Sequence, residues 1–265
     1  MTTIAWIAAA TGLTVVGCWA LRRSAPRWGL AVLWGLPLVA AGPWSTSDAD
    51  FTWFSWVKLA SVCLAAGMVV ALRMPEVRRR IAAGPVLVAI LVLNIGEAMV
   101  AEALDWGLTL NVLAAAGLLV ALPGPRAIEA TDDGVRFELS GLWIAGYSIW
   151  NLTFVYGHVY PDSIGPYTAF AIVHLGAPLL TMGRDRGRYM EARALALALL
   201  MMWRFSASAS ASPWMVRTPE LFDPAVHELM SMMAAVVAVV AGLEAIVTER
   251  GVLGALARRG KGAWA

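Results

Sequence analysis

The residues with the most chemical potential in this sequence lie where charge is costly. Lys58 sits inside an apolar run, flanked by Ser55 and Ser61 at three-residue spacing, which puts all three on one helical face. In the next run Asn94 and Glu97 are likewise three apart, and later runs carry Asn111, Tyr147, Asn151, His158 and His174. If the runs alternate in direction, all of these fall in the outer half of a bilayer, with Lys58 and Glu97 at one depth. A charge at the centre of a span costs about 2.5 to 3.5 kcal/mol on insertion scales, so such groups face protein or water and commonly mark function. The shared depth predicts that Lys58 and Glu97 interact directly or through one water.

Acid–base chemistry suits this set. A buried carboxylic acid such as Glu97 can protonate an alkene or epoxide, with Lys58 as its charged partner and Asn94 and Asn151 orienting it. Aromatic faces at Trp56, Tyr147 and Trp150 can stabilise positive charge, and Asn111 and His174 complete the expected lining. The plainer alternative is glue, with Lys58 and Glu97 as a buried ion pair and the asparagines as interhelical hydrogen bonds. Glue does not require one depth, nor does it draw His158, His174 and His227 toward one face, so the cavity is favoured.

No metal is expected, because the sequence has neither H-x-x-x-H nor H-E-x-x-H. Nor is a cofactor: the last run lacks the lysine that a retinal Schiff base needs. Aspartate-rich D-x-x-x-D motifs for magnesium diphosphates are missing too, which argues against a diphosphate-cleaving prenyltransferase.

The elements that must position these residues follow from composition. Of 265 residues 60% are hydrophobic and 14% charged, with a mean hydropathy of +0.69, which excludes a soluble globular domain. Nine apolar runs predict helices at 3–21, 28–43, 51–72, 85–104, 108–122, 142–160, 167–182, 189–203 and 226–247. The fold class is therefore all-α, a polytopic transmembrane bundle of about nine helices forming one integral-membrane domain over residues 1–265. The first run, without a basic leader, reads as a retained span.

Alternate loops hold 16 of the 20 Lys and Arg residues on one side, whereas Arg204 and Arg217 stand on the other among Asp48, Asp50, Asp105, Asp162, Glu220 and Asp223. This asymmetry predicts an outside N-terminus and a cytoplasmic C-terminus. A net charge of +2 gives no nucleic-acid footprint, so the expected partner is a membrane lipid or small hydrophobic substrate.

Smaller features complete the reading. Trp28, Trp44, Trp53 and Trp143 fall near span ends and read as headgroup-level anchors. Cys18 and Cys63, inside apolar runs, read as buried hydrophobes. Alternation through Val135, Phe137 and Leu139 predicts a short strand or hairpin on the cytoplasmic interface. Glu191 and Arg193 read as solvated interface charges, and 205–224 as a long outer loop, a candidate lid.

The stretches WFSWVKLASVCLAAGMVVALR from Trp53, LNIGEAM from Leu93, IAGYSIWNLTFVY from Ile144 and ARALALALLMMW from Ala192 resemble a bacterial family of multi-pass membrane proteins catalogued only as a domain of unknown function. The resemblance implies that Lys58, Asn94, Glu97, Trp150 and Asn151 occupy motif positions. Gly96 departs from the larger aliphatic residue expected there, which would widen a pocket locally. No reaction comes with the resemblance. Three functions stay open: an isomerase or cyclase acting on a lipid or isoprenoid, a proton- or ion-coupled transporter, and a non-catalytic membrane partner.

Overall fold

The computed structural model describes residues 3–45, 53–107, 109–157, 168–206 and 223–248. Among these, each apolar run is helical. The helices are α1 (Thr3–Arg23), α2 (Pro26–Leu30), α3 (Leu36–Ser45), α4 (Trp53–Ala71), α5 (Pro75–Arg80), α6 (Ala83–Trp106), α7 (Leu110–Val120), α8 (Gly141–Gly157), α9 (Thr168–Met182), α10 (Tyr189–Ser206) and α11 (Pro224–Val247). Four of them contain stretches long and apolar enough to cross a membrane: Ile4–Arg23, Trp53–Ala71, Ala83–Asp105 and Pro224–Val247. Leu110–Val120 and Phe170–Met182 are shorter apolar helices.

A π-helical turn, Ala31–Gly35, joins α2 to α3. Pro37 explains it, because a proline has no N–H to return to the Leu33 carbonyl and its ring crowds that oxygen, so the turn ahead widens. The expected hairpin is present as β1 (Ile128–Thr131) and β2 (Gly134–Phe137).

The chain divides into two compact units. The first comprises Met1–Ala83, Glu129–Arg136 and Tyr167–Thr218. Its α1 packs on α9 and α10, and α10 packs on α4 and α9. Arginines close its helix ends: Arg73 donates to the carbonyls of Leu21 and Ser24 at 3.0 Å each, and Arg78 to those of Leu72 at 3.0 Å and Arg73 at 2.8 Å. Each guanidinium thereby satisfies carbonyls that a terminating helix leaves open. Part of the basic loop charge thus has a structural use besides topology.

The second unit comprises Gly84–Ile128, Phe137–Pro166 and Pro219–Ala265. Here α11 packs along α7 and α8 through small residues: Ala234, Ala238 and Ala241 are buried, and Ala238 lies against Gly117 and Gly146. In lipid, where apolar transfer gives no drive, such close backbone approach supplies dispersion contacts instead. Gly157 is a further notch: a Cβ there would run into the His227 ring.

Two expectations are corrected. Trp143 and Trp44 are not headgroup anchors but core residues, Trp143 Nε1 donating to the Leu118 carbonyl at 3.3 Å and Trp44 packing on Phe205, whereas Trp28 and Trp53 are exposed. Glu191 and Arg193 are not solvated; both are buried in the first unit, at 1% and 3% exposure. Cys18 and Cys63 are buried free thiols. The outer loop beyond Ser206, up to residue 222, and His158 lie outside the described residues.

Candidate functional site

The residues singled out from sequence fall into two sets, one in each unit. In the first unit, Lys58 is half-buried on α4, where Ser61 turns its hydroxyl back onto the Lys58 carbonyl at 3.1 Å. His174, on α9, is buried against Arg193 of α10, whose Nη1 lies 3.1 Å from Nδ1 while Nη2 meets Nε2. A guanidinium has only donors, so at least one imidazole nitrogen facing it must be unprotonated. Lys58 also acts electrostatically on this ring. Trp56 stands edge-on to Phe205 at 4.8 Å, and Trp44 joins them at 5.5 Å. The first unit therefore joins His174 of α9 to Arg193 of α10, and packs Trp44 and Trp56 against Phe205.

The second unit holds the carboxylates, amides and remaining aromatics. Asn94, buried on α6, donates to Glu97 Oε1 at 3.5 Å, the long end of hydrogen bonding. Glu97 is half-buried, and a Cβ added at the adjacent Gly96 would meet nothing within 4 Å. A side chain larger than glycine would thus fit at Gly96, one position before this carboxylate. Five residues on, Glu102 is in the opposite situation. It is 4% exposed, and its two oxygens accept from Thr109 Oγ1 at 3.0 Å and Asn111 Nδ2 at 2.8 Å. Thr109 is also the N-cap of α7, accepting from the Val112 N–H at 3.1 Å. Glu102 thereby ties the end of α6 to the start of α7 across Gly107, whose φ of 78° suits a glycine. Its role is structural, and Asn111 is chiefly its partner.

On α8, Trp143, Tyr147, Trp150 and Phe154 form a buried column with successive ring separations of 4.9, 5.7 and 6.3 Å. Asn151 donates to the Tyr147 carbonyl within its own helix at 3.0 Å. Among the described residues of the second unit two buried side-chain polar atoms have no hydrogen-bond partner, Trp150 Nε1 and Asn111 Oδ1. An orphaned group of this kind is costly and calls for an explanation, an unplaced water or a polar ligand among them.

Sequence reasoning did not single out Arg193 or Glu102 as site residues. The Glu102 arrangement had a visible signal, a Thr-x-Asn pair at the start of an apolar run just after a glycine. Arg193 had none, because a basic residue four positions into a helix next to an arginine-rich loop looks like an interface charge. Among the described residues no three His, Cys, Asp or Glu side chains group as metal ligands.

No curated protein and no solved structure matches the chain. Residues 110–251, just over half of it, match the family described as "Family of unknown function (DUF5692)". That stretch contains Asn111, Tyr147, Trp150, Asn151 and His174, whereas Lys58, Asn94 and Glu97 precede it. The helical, lipid-length architecture and the matched second half together make this chain a member of DUF5692, a family of unknown function.

Proposed function

We propose that the protein is a membrane-embedded acid–base enzyme, an isomerase or cyclase acting on a lipid or isoprenoid. The observation that carries the reading is Glu97: a half-buried carboxyl in the lipid-length stretch Ala83–Asp105 that accepts from the buried Asn94 one turn earlier. In the protonated form it delivers its proton to an alkene carbon or an epoxide oxygen, and the resulting cation loses a proton from a neighbouring carbon to the Glu97 carboxylate, which restores the acid. Tyr147 and Trp150 offer aromatic faces to the cation, and Asn151 and Asn111 position the substrate. No cofactor is required for this step.

In the same reading the chain crosses a bacterial inner membrane nine times, N-terminus outside, as the arginine distribution directs. Reporter fusions after Arg80, Arg136 and Arg188 should then signal cytoplasm and one at Asp162 the outside. Lipid extracts of membranes carrying the purified protein should gain a product that Glu97→Gln, folded normally, fails to make. Accumulation of a solute inside proteoliposomes, with no change in lipid, would replace the enzyme by the proton- or ion-coupled transporter.

A further inference from the structure

Among the described residues, a buried charge cluster that this reading does not use lies at the arginine-rich end of the first unit. Glu191, in the first turn of α10, receives Arg188 Nη1 at 3.2 Å and has Arg22 Nε at 3.7 Å. Arg188 precedes α10, and its one guanidinium makes three further contacts: it donates to the Asp133 carbonyl at 3.1 Å and to Asp185 Oδ2 at 3.3 Å, and it pairs with the Asp133 carboxylate. Burial works against the Arg188 charge, but the carboxylates of Glu191 and Asp133 outweigh burial and hold the group above its ordinary range, so it stays cationic at any working pH.

The segment this cluster grips is the hairpin. Asp132 and Asp133 form its tip, with side chains 80% and 78% exposed, and each is clasped by an arginine of another element, Arg78 of α5 and Arg188. Arg136 adds a pair to Asp185 at 2.8 Å. Gly134 lies directly over Glu191, and two facts require a glycine there: its φ is 137°, and a Cβ would collide with the Glu191 carboxylate.

We propose that the Glu129–Arg136 hairpin is a charge-held latch over the arginine-rich end of the first unit, closed by Arg78–Asp132 and Arg188–Asp133 and released when those pairs are screened or removed. Two strands of four residues have little stability of their own, so their position depends on what grips them. What lies beneath is dry charge instead of apolar surface alone. Lifting the hairpin wets Glu191, Arg188 and Arg22, and the hydration they regain offsets part of the contact energy lost. The clasps at the tip, with solvent-facing carboxylates, then set the balance and are open to screening by salt.

Val135 reads the state of the latch. It is fully buried in the closed hairpin, and Cys18 and Cys63 are buried, so Val135→Cys supplies the thiol that changes exposure when the latch opens. The full-length Val135→Cys protein in detergent is treated with a charged maleimide at about 0.1 M and about 1 M salt, over which the screening length falls from about 10 to about 3 Å. Slow labelling that quickens about tenfold in high salt, and equally with Arg188→Gln or Asp133→Asn added, is the expected result. The milder Asp133→Asn keeps the test decisive if Arg188→Gln does not fold. Rates indifferent to salt and to Asp133→Asn would overturn the latch in favour of a hairpin fixed by packing at Val135. Labelling as fast as a free thiol at low salt would overturn it as well.

Discussion

The two units solve the same problem, holding helices together without a hydrophobic drive between them in lipid, by different means. In the first, long basic side chains tie helix ends and the hairpin to buried carboxylates and carbonyls, as at Arg73, Arg78, Arg188 and Glu191. In the second, small residues let α7, α8 and α11 approach closely, the α8 aromatics stack, and neutral amide and hydroxyl donors satisfy Glu102. Ionic ties are strong only where water is absent and fail abruptly when one member is lost. Close packing has no such single point of failure, but it tolerates no added volume. The comparison teaches that the first unit should be sensitive to charge deletion and salt, and the second to side-chain size.

The sharpest way to break that contrast is at Glu191. Replacing it with leucine leaves Arg22 and Arg188 facing each other without their acid, and the expected loss is about 3 to 5 kcal/mol, the cost of stranding buried charge. Denaturant unfolding in detergent reads it directly; a loss below about 1 kcal/mol would mean that the cluster is hydrated. The matching test in the second unit adds volume instead. Gly157→Ala pushes a methyl into the His227 ring and should cost about 1 to 3 kcal/mol through overpacking, with no dependence on salt. A salt-dependent loss there would erase the distinction between the units.

A smaller effect is expected at the turn between α6 and α7. Thr109→Ala removes both the N-cap of α7 and one of the two bonds to Glu102, and should destabilise by about 1 to 2 kcal/mol, while Thr109→Ser restores most of it. Thermal unfolding of the two variants side by side checks this. Equal losses would show that the hydroxyl does nothing there.

How far the sequence discloses all this depends on the range of the interaction. Helices were legible because lipid-length apolar runs speak for themselves, and the hairpin because Val135, Phe137 and Leu139 alternate over a few residues. The Asn94–Glu97 pair was legible for the same reason, being one turn apart. The burial of Glu191 was not, since it is produced by a hairpin some 55 residues earlier, and nothing near Glu191 announces that cover. Trp143 misled similarly: an indole at a run's edge reads as a headgroup anchor until a neighbouring helix offers the Leu118 carbonyl. Arg193 and His174 are 19 residues apart and meet only because α9 and α10 pack.

The smallest expected effect gives the finest test of the comparison. Asp132 is 80% exposed and pairs with Arg78, whose guanidinium already caps α4 through the carbonyls of Leu72 and Arg73. Asp132→Asn therefore removes one solvent-facing ion pair while leaving the arginine engaged, and the loss in global stability should stay under about 1 kcal/mol, vanishing in high salt. Arg78→Gln removes both the pair and the cap and should cost more, with a part that salt does not abolish. The difference between the two variants, measured by denaturant unfolding at low and high salt, isolates what the arginine does for the helix end from what it does for the hairpin. If both losses disappear together in salt, Arg78 acts only as a charge; if a residue of the Arg78→Gln loss persists, the hydrogen bonds to the α4 carbonyls are the part of the first unit that resembles the second in resisting salt.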